Sequence, residues 1–180
     1  MVTVTIHQST IEVVQGDITQ QETEAIGNAA NAALAGGGGV DGAIHRAGGP
    51  SIMAELRSRY KGCPTGSAVM TGGGDLKARY VIHAVGPRYS GTPRDGELLA
   101  SAYRKSLELC TQNKIASIAF PSISTGIYGY PVEEASRIAL KTVTDYLTDH
   151  PEIRLVRFVL FDSRTLTVYE KALEELTKSG

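Results

Sequence analysis

Apolar and polar residues alternate at the start of the chain: Val2, Val4 and Ile6, then Ile11 and Val13, with the polar run HQST between them. Period-two alternation sends one set of side chains to one face, so two strands are expected here, spaced as a hairpin. A short segment from Ala25 to Asn28 reads as a buried strand. Ile44, Ile52, Leu56 and Tyr60 are candidate core contacts of a helix running from about Val40 to Tyr60. SAVMTGGGDL and YVIHAVGP follow as strands joined by the glycine turn. Leu98, Leu99, Ala102, Tyr103, Leu107 and Cys110 then recur at helical spacing, and IASIAFP is strand-like. Pro131 sits where a first helical turn accepts proline, and Ile138, Ala139, Thr142, Val143 and Tyr146 continue that helix. RLVRFVLF is a strand and Val168 to Leu176 a final helix. Strands alternating with helices predict an α/β sandwich with a largely parallel sheet. No linker, repeat or low-complexity tract divides the 180 residues, so one domain, 1–180, is expected.

One stretch fits none of these patterns. Residues 28–49, NAANAALAGGGGVDGAIHRAGG, hold two asparagines, four consecutive glycines, an aspartate and a histidine, with little bulk to pack. Glycine loses much backbone freedom on ordering, and packing does not offset that loss here. A second glycine-containing loop, PSISTGIYGYP at residues 121–131, also joins a strand to a helix. In parallel α/β sheets ligands bind beyond the carboxyl ends of the strands. Both loops lead into helix N-termini, where unpaired N–H groups and the helix dipole favour an anion. Two such loops at one sheet edge point to a diphosphate held mainly by backbone amides. A tight turn would explain either loop alone.

The familiar nucleotide motifs do not fit. Gly37, Gly39 and Gly42 match G-x-G-x-x-G, but NAANAALA separates them from the strand, and Glu55 falls inside a predicted helix rather than closing a second strand. No glycine is followed by lysine and then serine or threonine, so a P-loop is absent. The net charge of -1 gives no global attraction for duplex nucleic acid. An apolar fraction of 42% marks a globular chain, and no apolar run approaches a membrane span. The two cysteines, Cys63 and Cys110, form no CxxC pair, and the N-terminus lacks the apolar core of a signal peptide, so a cytoplasmic location is expected. No cluster has metal-ligand spacing, so no metal is called for.

GDIT, NAANAALAGGGGVDGAIHRAGG, HAVGP and PSISTGIYGYP, in this order, resemble the macrodomain family, and within it the MacroD-type ADP-ribosyl hydrolases and bacterial O-acetyl-ADP-ribose deacetylases. The likeness covers nearly the whole chain. It implies a three-layer α/β/α sandwich around a mixed sheet and ADP-ribose as ligand, free or esterified to acetate or a protein side chain, with no further cofactor. ADP-ribosylated proteins would then be partners, and neither membrane nor nucleic acid is expected. By this resemblance Asp17 accepts the adenine amino group, with Ile18 beside it, and Phe161 stacks on the base, with Asp162 following. An aspartate after a strand also serves as a turn or N-cap residue, and Phe161 alone would pass for a core aromatic. The resemblance makes Gly37, Gly38, Gly39 and Val40 one wall of the ligand site. Ser122, Ser124, Thr125, Gly126 and Ile127 form the diphosphate loop, and Tyr128 flanks the distal ribose.

Asn31, Asp41 and His45 carry the chemical expectations. Asp41 and His45 are four apart on the predicted helix and share a face. The resemblance assigns Asn31 to the distal ribose hydroxyls and Asp41 to the attacking water, so both asparagines of the stretch, Asn28 and Asn31, and Asp41 are expected to face the ligand. His45 is a supporting or leaving-group candidate, and a lone helical histidine is also a common structural residue. His83 reads as a packed strand residue, and His7 and His150 as peripheral. The chain departs from the family pattern at Gly27, Ala35, Gly48 and Ser122. Gly27 ends a strand without a side chain, which is expected to loosen the loop carrying Asn31. The implied activity is hydrolysis of an ester at the distal ribose, by a water that Asp41 orients and a diphosphate oxygen assists. Two other classes stand beside it: a non-catalytic ADP-ribose reader, and an RNA-associated or ribonuclease-regulating module using Arg57, Arg59 and Lys61.

Overall fold

The computed structural model describes residues 1–178. The two alternating runs pair as an antiparallel hairpin, β1 (Val2–Ile6) and β2 (Ser9–Gln15), turned at His7 with φ 54°. The chain then forms a 3₁₀ turn (Ile18–Gln20), β3 (Ala25–Ala29), α1 (Gly39–Gly48), α2 (Pro50–Arg59), β4 (Ala68–Gly72) and β5 (Tyr80–Ala84). It continues with α3 (Pro93–Gln112), β6 (Ser117–Phe120), α4 (Val132–Asp149), β7 (Leu155–Leu160) and α5 (Ser163–Lys178). The seven strands make one mixed sheet in the order β1-β2-β7-β6-β3-β5-β4. The two outer pairs are antiparallel, and β2, β7, β6, β3 and β5 run parallel. One apolar core lies between the sheet and α3, α4 and α5, and a second lies on the face of α1 and α2. This is the expected three-layer sandwich. Among the described residues no helix is long and apolar enough to cross a membrane.

The helix expected from Val40 to Tyr60 is two helices. Gly49 adopts φ 80°, which ends α1, and Pro50 takes the first position of α2. A left-handed glycine followed by proline is a stop and a restart, because proline lacks the N–H that would continue the first helix. Ile44, Ile52 and Leu56 are buried as expected, while Tyr60 is half-buried and hydrogen-bonds the Met70 carbonyl at 2.7 Å. Pro131 is the N-cap of α4 rather than part of its first turn, and α5 begins at Ser163, earlier than its apolar spacing implied.

Gly27 does not loosen its neighbourhood. A Cβ there would lie 2.6 Å from Phe120 Cδ1, so the ring from adjacent β6 occupies the space a side chain would need. The ring packs where the residue is missing, and the next residue, Asn28, is fully buried and hydrogen-bonded.

Candidate functional site

The five parallel strands end along one edge of the sheet in the order β2, β7, β6, β3, β5. At about 4.8 Å per strand, these ends span about 19 Å. Each end delivers part of the expected chemistry. β2 leads to Asp17, β7 to Phe161 and β6 to the 121–131 loop. β3 ends at the asparagine and glycine stretch, and β5 at Gly86 to Arg88. A ligand touching all of them would be long and would meet these groups in that sequence.

The middle of this edge is a cavity of about 320 Å³. Its walls are the glycine stretch, including Asn31, Gly37, Gly38, Gly39, Val40 and Asp41, and the facing loop with Ser122, Ser124, Gly126, Ile127 and Tyr128. The glycine stretch reaches α1 with Gly38 as an N-cap that makes no side-chain bond, so the helix start is left to its backbone N–H groups. Across the cavity, the N–H groups of Ser124, Thr125, Gly126, Ile127 and Tyr128 donate to no acceptor among the described residues. Ser124 holds φ 70°, costly for a residue with a Cβ, and its buried hydroxyl has no partner among the described residues. Backbone donors on two sides of a concave site, one of them strained into place, form a cradle for an anion.

Asn31 braces the glycine wall. Its Nδ2 donates to the Gly36 carbonyl at 2.9 Å, and its Oδ1 accepts from the Ala35 N–H at 3.0 Å. One hydrogen and one lone pair of the amide remain for a ligand. Asp41, 6% exposed, sits in the first turn of α1. Its Oδ1 is held within the protein: Asn28 Nδ2 donates to it at 2.8 Å, and His45 Nε2, one turn along the helix, lies 3.3 Å away. Its Oδ2 is on the Gly37 side, 3.5 Å from where a Gly37 Cβ would stand, at the cavity wall. One oxygen of the carboxylate is therefore anchored and the other faces the ligand space. His45 does not line the cavity; it buttresses Asp41 from behind and stacks near His83, ring centroids 6.2 Å apart.

The expected adenine end lies outside this cavity. Asp17 Oδ1 caps the 3₁₀ turn, accepting from the Thr19 N–H at 2.9 Å and the Thr19 hydroxyl at 2.7 Å. The turn-capping role of Asp17 thus uses one oxygen, and Oδ2 takes no hydrogen bond among the described residues. Ile18 is buried in the core, so its side chain meets no ligand and only its N–H is offered. Phe161 follows the last residue of β7, one strand from Asp17, and is 87% exposed, so it is no core aromatic. Asp162 Oδ1 accepts from the Thr165 N–H at 2.7 Å at the start of α5, and that N–H holds its carboxyl below the usual range. Thr125 also stays out of the cavity wall, its hydroxyl bonded to Ser122.

Two residues of the cavity wall were given no role in the sequence reading. Arg88 lines the cavity, with its guanidinium 5.1 Å from the centre of the Tyr128 ring, and Gly86 packs against Ser124. Gly86 is the glycine of the HAVGP motif and Arg88 directly follows it, at the end of a strand parallel to β3, so position was their signal. Asn28, expected with Asn31 to face the ligand, is instead fully buried and donates to Asp41 Oδ1 at 2.8 Å, outside the cavity lining. A polar amide inside an otherwise apolar buried strand needs partners, and that need was the available clue. Of the basic residues considered for RNA, Arg59 is tied to Glu55 at 2.6 Å.

Known proteins share this architecture. The Macro domain family model matches residues 27–139. A macro domain-containing protein of Caldanaerobacter subterraneus is 58% identical over 172 residues, which cover 93% of this chain and 98% of that protein. A Cronobacter turicensis protein named O-acetyl-ADP-ribose deacetylase is 53% identical over 167 residues, 91% of this chain and 95% of its own. The solved Oceanobacillus iheyensis macrodomain with ADP is 45% identical and superposes with a TM-score of 0.95, covering 99% of this chain and 97% of that one. With sequence and fold matched over nearly all of its length, the chain belongs to the macrodomain family.

Proposed function

We propose that this protein binds ADP-ribose and hydrolyses esters at its distal ribose, removing acetate from O-acetyl-ADP-ribose and mono-ADP-ribose from acidic side chains. The adenine lies at the Asp17 and Phe161 end of the sheet edge. The diphosphate lies between the Gly37–Gly39 amides and those of Ser124–Tyr128. The distal ribose reaches Asn31 and Asp41. The names of curated relatives support the deacetylase reading, and a solved relative with ADP supports the nucleotide assignment.

One observation carries the catalytic reading: Asp41 has Oδ1 anchored by Asn28 and Oδ2 turned to the cavity beside Gly37. A carboxylate beside an anionic diphosphate does not strengthen ground-state binding, because the charges repel. It can accept a hydrogen bond from a water and fix that water's direction of attack, with a diphosphate oxygen as its second acceptor. Positioning of this kind acts on the barrier rather than on affinity. The Asn31 amide holds the glycine wall and touches the ribose, so it serves binding as well as chemistry.

The test is turnover of O-acetyl-ADP-ribose alongside calorimetry with ADP-ribose. Asp41→Ala should lower kcat about 100-fold or more, as for a lost positioned catalytic group, with Kd near wild type or slightly tighter. Asn31→Ala should weaken both. Wild-type turnover by Asp41→Ala refutes the mechanism. Tight ADP-ribose binding by a wild-type protein that turns over no ester favours the reader class instead.

A further inference from the structure

Behind Asp41 a line of buried polar side chains crosses three strands: Asn28 on β3, His83 on β5 and Thr71 on β4. The parallel register sets Asn28 beside His83, and the antiparallel register of β4 and β5 brings Thr71 within reach of the same ring. Asn28 Nδ2 lies 3.1 Å from His83 Nδ1, His83 Nε2 lies 2.9 Å from Thr71 Oγ1, and the Thr71 hydroxyl donates to the Gly72 carbonyl at 2.9 Å. Asn28 and His83 have no exposed surface and Thr71 almost none. Apolar side chains would fill these strand positions without the cost of desolvating polar groups.

The direction of every bond follows from what each group can do. An amide nitrogen only donates, so His83 Nδ1 must be the acceptor and carries no proton. The single Thr71 proton goes to Gly72, so Thr71 Oγ1 must accept from the His83 Nε2–H. Both ends select one neutral tautomer. Burial, and then the charge of His45, push the His83 imidazole down to about 3, so it does not take a second proton at neutral pH. A proton on Nδ1 would set two donors face to face and turn the Asn28 amide, bringing Asn28 Oδ1 toward the Asp41 carboxylate.

We propose that His83, locked by Thr71, is a positioning residue for the ester hydrolysis: its Nδ1 lone pair orients the Asn28 amide, which holds Asp41 Oδ1 and leaves Oδ2 facing the cavity. The proposal rests on the catalytic reading of Asp41 given above.

Three variants test it. His83→Asn sets a carbonyl oxygen near the place of Nδ1, His83→Leu fills a similar volume with no acceptor, and Thr71→Val removes the lock at nearly constant shape. For O-acetyl-ADP-ribose, His83→Leu should lower kcat about tenfold, the effect of a displaced catalytic group, with KM and the ADP-ribose Kd near wild type. His83→Asn should recover most of that loss even though its Tm is no higher than that of His83→Leu, and Thr71→Val should lower kcat in the same direction. A purely structural role predicts the reverse, with kcat following Tm; that order, or wild-type kcat in Thr71→Val, overturns the proposal. ¹⁵N NMR of the wild-type His83 ring reads the tautomer without any turnover. An Nε2–H, Nδ1-unprotonated ring across about pH 5 to 8 is expected, and an Nδ1–H signal or a titration in that range overturns it. A wild-type protein with no esterase turnover overturns the catalytic reading and this role with it; turnover with the wrong tautomer overturns the role of His83 alone.

Discussion

Phe161→Ala should separate binding from folding. Phe120 and Phe158 are wholly buried, whereas Phe161 is 87% exposed at the end of β7. Removing its ring takes almost no packing from the core, so stability should change by no more than about 0.5 kcal/mol. The adenine, by contrast, would lose its platform. Stacking of a base on an aromatic side chain is worth about 1–3 kcal/mol, and at about 1.4 kcal/mol per tenfold this weakens Kd about 5- to 150-fold. The base is remote from the ester, and its contact is the same in ground and transition states. The loss should therefore raise KM and leave kcat unchanged. Calorimetry with ADP-ribose, saturation kinetics with O-acetyl-ADP-ribose and a melting curve give the three readouts. An unchanged Kd in a protein with unchanged Tm refutes the adenine assignment, and a fall in kcat at saturation refutes the division of the site into binding and reacting ends.

Two further predictions use Gly38 on the glycine wall and Asp95 in the first turn of α3. Gly38 has φ −92° and no atom within 4 Å of a Cβ, so Gly38→Val should fold with wild-type Tm while its methyl groups weaken ADP-ribose binding about tenfold or more, where backbone must approach phosphate; equal losses of Tm and affinity would make the glycine a turn residue only. Asp95 accepts from the Ser90 hydroxyl and from the N–H groups of Ser90, Gly91 and Thr92, which lower its pKa, the hydroxyl most. A depressed folded-state pKa stabilises above the unfolded value and is lost as pH falls through the folded one, so Asp95→Asn should lower Tm at pH 7 and flatten the decline of Tm below about pH 4; parallel Tm–pH curves would refute this.

What could be read from the sequence divides by distance along the chain. That the two glycine loops line one cavity was legible because unpaired N–H groups and little bulk on adjacent residues are what a sequence displays. The hairpins were legible for the same reason. The break between α1 and α2 was also local, since Gly49 and Pro50 together stop one helix and start the next, but the apolar spacing of Ile44, Ile52 and Leu56 runs through it and hid it. Phe161 shows where local pattern fails: FVLF is a continuous apolar run, and nothing in it tells that β7 ends at Leu160 and turns the next ring to solvent. Asp17 shows a second kind of failure, because capping a turn occupies only one oxygen of its carboxylate and so does not exclude the proposed contact with a base through the other. The polar line from Asp41 to Thr71 was out of reach altogether. Thr71 is 12 residues from His83 and His83 is 55 from Asn28, and only strand register joins them. A histidine in an apolar strand reads as packing until its neighbours on both sides are known, and those neighbours decide which of its nitrogens carries the proton.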